Sequence, residues 1–148
     1  MSQFIEVVRR PYEEPYHVNL VVTASNGPQS GALEIYSNAT DLGEFATALR
    51  GIGSRASEAL WELGSERPED NFAFYFRIRA YLVSKTGHCA VEIRLNNNRP
   101  PPARQVSEFS IGALLADLDR LATLFDQFGQ LEHRKLNWRV TSGELTND

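Results

Sequence analysis

Three histidines and a single cysteine are the side chains best suited to hold a metal or to act as base and nucleophile in this chain. His17, His88 and His133 stand far apart, with no His-Glu-x-x-His pairing and no other close set of ligands, so the sequence offers no metal centre. His88 and Cys89 are adjacent, but neighbouring side chains on a strand point to opposite faces, so they cannot share a ligand or form a nucleophile–base pair. Cys89 lies in phase with Val91 and Ile93 and reads as a small buried apolar residue, while His88 reads as a solvated turn residue. Gly51-Ile52-Gly53-Ser54 is glycine-rich, yet it follows a helix, whereas a phosphate cradle needs a strand before it and a helix after it. The chain has no Gly-x-Ser-x-Gly elbow, no P-loop and no dinucleotide fingerprint. Asp117 and Asp119, two apart on a helix, diverge and do not form a carboxylate pair. No catalytic, metal-binding or cofactor-binding residue is therefore assigned, no cofactor is expected, and the reading leans away from an enzyme.

The segment Asp70-Asn71-Phe72-Ala73-Phe74-Tyr75-Phe76 has a superficial likeness to the central motif of RNA-recognition domains. That motif opens with a basic residue and glycine, where this chain has Asp70 and Asn71, and its stacking rings must face solvent. Here Phe72 and Phe74 alternate with Phe76, Ile78 and Ala80 on a face expected to be core, with Phe74 nearly buried, so nucleic acid is not the expected partner. The opposite face is more informative. Tyr75, Arg77, Arg79, Tyr81, Glu92 and Arg94 share it, and Tyr and Arg are the residue types enriched where proteins bind one another. A one-sided sheet also exposes polar residues, so this face reads either as a protein-contact surface or as an ordinary solvated one.

The elements that position these residues follow from periodicity. Tyr16 to Ala24 alternates as a strand, the loop Ser25–Gly31 is rich in turn formers, and Leu33 and Ile35 belong to a second strand. Leu42, Phe45, Ala46 and Leu49 repeat at helical spacing behind Asp41, which with Glu44 suggests a capping box, and Gly51 ends the helix. Ala56 to Leu63 suits helix or strand and is taken as a strand. Phe72 to Ser84 and Cys89 to Leu95 form a hairpin. A two-residue Thr86-Gly87 turn would set Tyr81 opposite Glu92 and Leu82 opposite Val91. After Asn96–Pro102, an exposed connector, Val106 to Phe109 reads as a short strand and Ser110 to Phe128 as a long amphipathic helix closed by Gly129. Leu136, Trp138 and Val140 alternate as a last strand. Residues 1–15 read as an extended lead-in and 141–148 as a frayed tail. No internal repeat is evident. The expected fold is α+β: one domain over 1–148, two layers, an antiparallel sheet with two helices packed on one face.

Length and composition agree with this. The chain has 148 residues, 42% hydrophobic and 23% charged, which is globular composition and enough chain for one core. A net charge of −4 disfavours nonspecific grip on a phosphate backbone. The start shows no basic, then apolar, secretory pattern, and no stretch reaches the roughly 18 apolar residues of a membrane span. With a lone thiol and no leader the expected location is the cytoplasm, and no membrane association is expected.

Several stretches resemble a family of small bacterial proteins grouped with the WapI-type immunity proteins: His17-Val18-Asn19-Leu20-Val21-Val22, Gly31-Ala32-Leu33-Glu34-Ile35-Tyr36, Asp41-Leu42-Gly43-Glu44-Phe45 and Gly87-His88-Cys89-Ala90-Val91-Glu92. The C-terminal helix followed by Leu136-Asn137-Trp138 is similar in layout. The resemblance covers most of Tyr16 to Trp138 and brings no catalytic motif. It implies a bacterial, non-enzymatic protein that binds and blocks a toxin domain. Two alternatives stand beside it: a ligand-binding or enzymatic domain with a pocket between helix and sheet, and a module that assembles with itself through the Tyr/Arg face.

Overall fold

The computed structural model describes residues 2–148. Its strands are β1 (Phe4–Arg10), β2 (His17–Ser25), β3 (Ser30–Asn38), β4 (Glu58–Gly64), β5 (Tyr75–Leu82), β6 (His88–Asn96), β7 (Val106–Leu114), β8 (Lys135–Arg139) and β9 (Ser142–Thr146). The helices are α1 (Thr40–Arg50) and α2 (Leu115–Phe128), with a 3-10 turn at Pro68–Asp70. The fold is α+β and all strand pairing is antiparallel, but the strands divide between two sheets. One runs β3-β2-β1-β8-β9 and the other β4-β5-β6-β7.

Both sheets and both helices contribute to one hydrophobic cluster. Trp61 of β4 meets Phe45 of α1, Phe125 of α2 and Phe76 of β5, with ring centroids 5.8, 5.8 and 4.8 Å apart. Trp138 of β8 is fully buried and its indole N–H donates to the Asp117 carbonyl of α2 at 3.0 Å. A buried indole N–H usually finds such an acceptor; that of Trp61, also buried in the core, has none among the described residues.

The expected lead-in is overturned. Phe4–Arg10 is the central strand of its sheet, flanked by β2 and β8, with Ile5 and Val7 fully buried. The expected frayed tail is also a strand, β9, paired on β8. The helix expected from Ser110 begins only at Leu115, because Ile111 and Ala113 are the inward residues of a nine-residue β7. Over so short a run, apolar positions four apart fit both periods. Phe72 is exposed and Phe74 only half-buried, since the 3-10 turn and the left-handed Asn71 (φ 59°) delay β5 to Tyr75. Leu82 sits opposite Cys89 and Arg79 opposite Glu92, because the turn is centred one residue earlier, on Lys85-Thr86, closed by the Gly87 N–H donating to the Ser84 carbonyl at 3.3 Å. The register differs by two residues, so every side chain keeps its expected face. Asp41 does not close a capping box. Its carboxylate accepts from Ser37 Oγ at 2.6 Å and from the Asn38 N–H at 3.3 Å.

The structure also contains a repeat. β1-β2-β3-α1-β4 and β5-β6-β7-α2-β8 are two copies of one βββαβ unit. β2 and β6 have the same length and the same sequence of buried and exposed positions, each opening on a histidine, and so do β3 and β7. Asp41-Leu42-x-x-Phe45-Ala46-Thr47 in α1 matches Asp117-Leu118-x-x-Leu121-Ala122-Thr123 in α2. In both helices the aspartate accepts the N–H three residues earlier, and the threonine hydroxyl donates to the carbonyl four residues earlier. The last strand of each unit crosses to the other, β4 pairing with β5 and β8 with β1. The two units are thus woven together by a reciprocal exchange.

Candidate functional site

The structure brings Tyr75, Arg77, Arg79, Tyr81, Glu92 and Arg94 together on the outer face of the β4–β7 sheet. β5 supplies the first four and β6 the last two, while Phe76, Ile78, Ala80, Val91 and Ile93 point the other way into the core. Pairing places Arg77 directly opposite Arg94, a like-charge contact that would destabilise the sheet if left alone. Glu108 of β7 relieves it, lying 2.9 Å from Arg77 and 3.4 Å from Arg94. Arg77 also meets Glu92 at 2.9 Å, and Arg79 meets Glu58 at 2.8 Å and Glu92 at 3.5 Å. Arg94 meets Glu66 at 2.8 Å, and Asn96 donates to the same carboxylate at 2.6 Å. The Arg79 guanidinium stacks over the Tyr81 ring, 4.2 Å from its centroid, and Arg77 donates to the Tyr75 hydroxyl, which donates to Glu62.

These contacts form a connected lattice in which Tyr75 is buried and Arg77, Arg79, Tyr81, Glu92 and Arg94 are half-buried. Sequence reasoning named its cations and missed four of its acids: Glu58, Glu62, Glu66 and Glu108. The first two were within reach, because alternation through Ala59, Trp61 and Leu63 already turns Glu58 and Glu62 outward. Glu66 and Glu108 were not, since only the fold brings their segments beside Arg94.

The electrostatics follow the contacts. For Glu66, burial acts to raise the carboxyl, but the bonds from Asn96 and Arg94 outweigh it and hold the group below its ordinary value. Burial, reinforced by the bond to Glu62, raises the Tyr75 phenol. Cys89 is buried, as its phase suggested, and burial with the nearby Asp117 charge raises its thiol. That is the opposite of what an activated nucleophile needs.

At one end of the face an open groove of about 370 Å³ runs between the 65–72 segment and the Asn96–Pro102 connector, lined among others by Arg67, Phe72, Arg94 and Arg104. Asn98 pins its walls by donating to the carbonyls of Ser65 at 2.8 Å and Phe72 at 3.1 Å. A cleft of about 580 Å³ lies between the start of α1 and the end of α2, beside Glu44 and Asp126. Among the described residues no group of three or more His, Cys, Asp or Glu is placed to hold a metal ion, and no helix is long and apolar enough to cross a membrane.

What these observations define is a class: an α+β protein of two antiparallel sheets, built from a strand-exchanged repeat, with an arginine–glutamate lattice on one sheet. No family model, curated protein or solved structure matches the chain.

Proposed function

We propose that this chain is a non-enzymatic bacterial protein-binding module, of the kind that neutralises a toxin domain in the cytoplasm, and that the outer face of the β4–β7 sheet is its contact surface. The observation that carries the reading is the lattice itself. Its side chains are held in place before any partner arrives, so little rotamer freedom remains to be lost on binding. Glu58, Glu62, Glu66, Glu92 and Glu108 outnumber Arg77, Arg79 and Arg94, so the face is acidic on balance and complements a basic partner such as a nuclease domain. Leu60 is 47% exposed in the middle of the β4 edge and supplies an apolar anchor.

The test is calorimetric titration of the chain against toxin domains encoded beside its gene, with protection from the toxin as a second readout. Reversing Arg77 and Arg79 is a poor probe, because glutamates there would abut Glu58, Glu92 and Glu108 and destabilise the sheet itself. Leu60→Thr with Gly112→Lys is better, since Leu60 lies opposite Arg79 and a lysine there would add a like-charge pair. Leu60 is exposed, and a side chain at Gly112 meets open space. The double variant is expected to keep its thermal midpoint and bind a basic toxin domain about tenfold or more weakly. The absence of saturable binding and of protection with every neighbouring toxin domain overturns the reading.

A further inference from the structure

The repeat presents the same sheet edge twice, once paired and once not. β4 and β8 are corresponding strands: Leu63 lies opposite Phe76 in β5, and Trp138 lies opposite Ile5, which occupies the matching place in β1. The far side of β8 is filled by β9, with Lys135, Asn137 and Arg139 opposite Thr146, Glu144 and Ser142. The matching positions on β4 are Leu60, Glu62 and Gly64, and among the described residues no strand pairs with them. Leu82 N–H donates to the Ser57 carbonyl at 2.9 Å, so the odd-numbered residues of this segment face β5. By the alternation of antiparallel pairing, the N–H and C=O groups of Glu58, Leu60 and Glu62 point off the edge, a ready template for another strand.

We propose that this edge takes an extended segment of a partner protein, paired antiparallel to β4, with basic residues at alternate outward positions flanking an apolar one. The proposal rests on the protein-binding reading above and names its mode of contact. The charge pattern comes from Glu58 and Glu62, both exposed on either side of Leu60. Residues opposite them are favoured as Lys or Arg, and the residue opposite Leu60 as apolar. A second copy of β4 would bring glutamates against glutamates, so the same charges disfavour self-pairing. The inward side differs from its counterpart in side-chain size. In β9, Gly143 lies over α2 so closely that a Cβ there would sit 2.5 Å from Leu124 Cδ1. The residue of α1 that corresponds to Leu124 is Ala48, by alignment of the two Asp-Leu helices. An incoming strand would meet the shorter Ala48 side chain at the place where β9 sets glycine against Leu124.

The probe is a fluorescein-labelled peptide with the core Lys-Val-Leu-Val-Lys, titrated into the full chain by fluorescence anisotropy. Saturable binding is expected, weakened about tenfold when both lysines become glutamate, which corresponds to losing and reversing two cross-strand charge pairs. N-methylation of the central leucine, whose N–H must face β4, is expected to abolish it, as is Leu60→Pro, which removes an edge donor. If Leu60→Pro lowers the thermal midpoint sharply, the N-methylated peptide decides alone. Failure of the basic peptide to saturate, equal binding of the N-methylated form, or a β4-mediated dimer of the chain overturns the proposal. The two readings fail separately. A toxin domain that binds wild type and a folded Leu60→Pro variant alike removes the edge and keeps the binding module, whereas peptide binding without any toxin binding does the reverse.

Discussion

Glu66 shows how one residue ties the lattice to pH. Its carboxylate accepts from Arg94 and Asn96, and these bonds hold its pKa below the unfolded value of about 4.3 despite partial burial. A carboxyl depressed on folding adds stability that is fully present above its unfolded pKa and is lost as pH falls through the folded one. Glu66→Gln is therefore expected to lower the urea midpoint at pH 7 and to flatten its decline below about pH 4.3, measured by circular dichroism across that range. An unchanged acid limb would mean that the Arg94 contact carries no net energy. Cys89 behaves in the opposite sense, with a raised thiol at a buried site. In native protein at pH 8 it should react with a disulfide reagent far more slowly than in urea-unfolded protein, with a single thiol released per chain. A rate equal to that of the unfolded chain would contradict the burial.

At the scale of elements, β5 separates what alternation predicts from what strand length decides. Phe72, Phe74 and Phe76 are in phase, but only Phe76 is fully buried. Phe76→Ala should cost about 3–5 kcal/mol through the cavity it leaves, whereas Phe74→Ala, at the half-buried entrance, should cost about half as much or less. Equal losses in a denaturant titration would mean that the strand begins earlier. The seam between the two sheets makes a sharper test. Gly31 of β3 and Ser107 of β7 occupy matching places in the two units and meet there. A Cβ on Gly31 would lie 2.2 Å from Ser107 Oγ and 2.6 Å from its Cβ. Gly31→Ala is therefore expected to destabilise by about 1–3 kcal/mol, and Ser107→Gly to recover much of that loss in the double variant. Additive effects would show that the two positions do not touch.

For the whole molecule, the exchange of β4 and β8 ties the two units together. Neither unit can complete its own sheet: the first lends β4 to β5, and the second lends β8 to β1. One cluster of buried side chains runs through both. Heat should unfold the chain in a single transition with calorimetric and van't Hoff enthalpies equal. The separate fragments 2–71 and 72–148 should be unfolded alone and regain circular dichroism when mixed. A fragment that folds by itself would show that the crossing strand is dispensable.

Much of this was legible in the chain. Alternation is local, so it assigned the β2, β5 and β6 faces, the inward Cys89 and the outward Tyr75, Arg77, Arg79, Tyr81, Glu92 and Arg94 before any strand had a partner. Helical spacing likewise placed α1, and the strand over Ala56–Leu63 was reached from its neighbours. The acids that neutralise the arginines, Glu66 and Glu108, lie outside β5 and β6, so no periodicity connects them to the face. Ile111, Leu114 and Leu115, at i, i+3 and i+4, made the segment from Ser110 look helical until β6 paired with it. Ile5 and Val7 looked like a lead-in because a central strand is recognised only once strands stand on both sides. The repeat was present in Asp41-Leu42 and Asp117-Leu118, but the rest of the two units differs in sequence and the β6–β7 connector is longer than the β2–β3 one. What the sequence determined by itself was the direction in which the side chains of β2, β5, β6 and α1 point, because that depends on local backbone period. Which strands meet, which acids meet which arginines, and which edge stays open were decided by tertiary structure, because pairing joins residues that are close only in space.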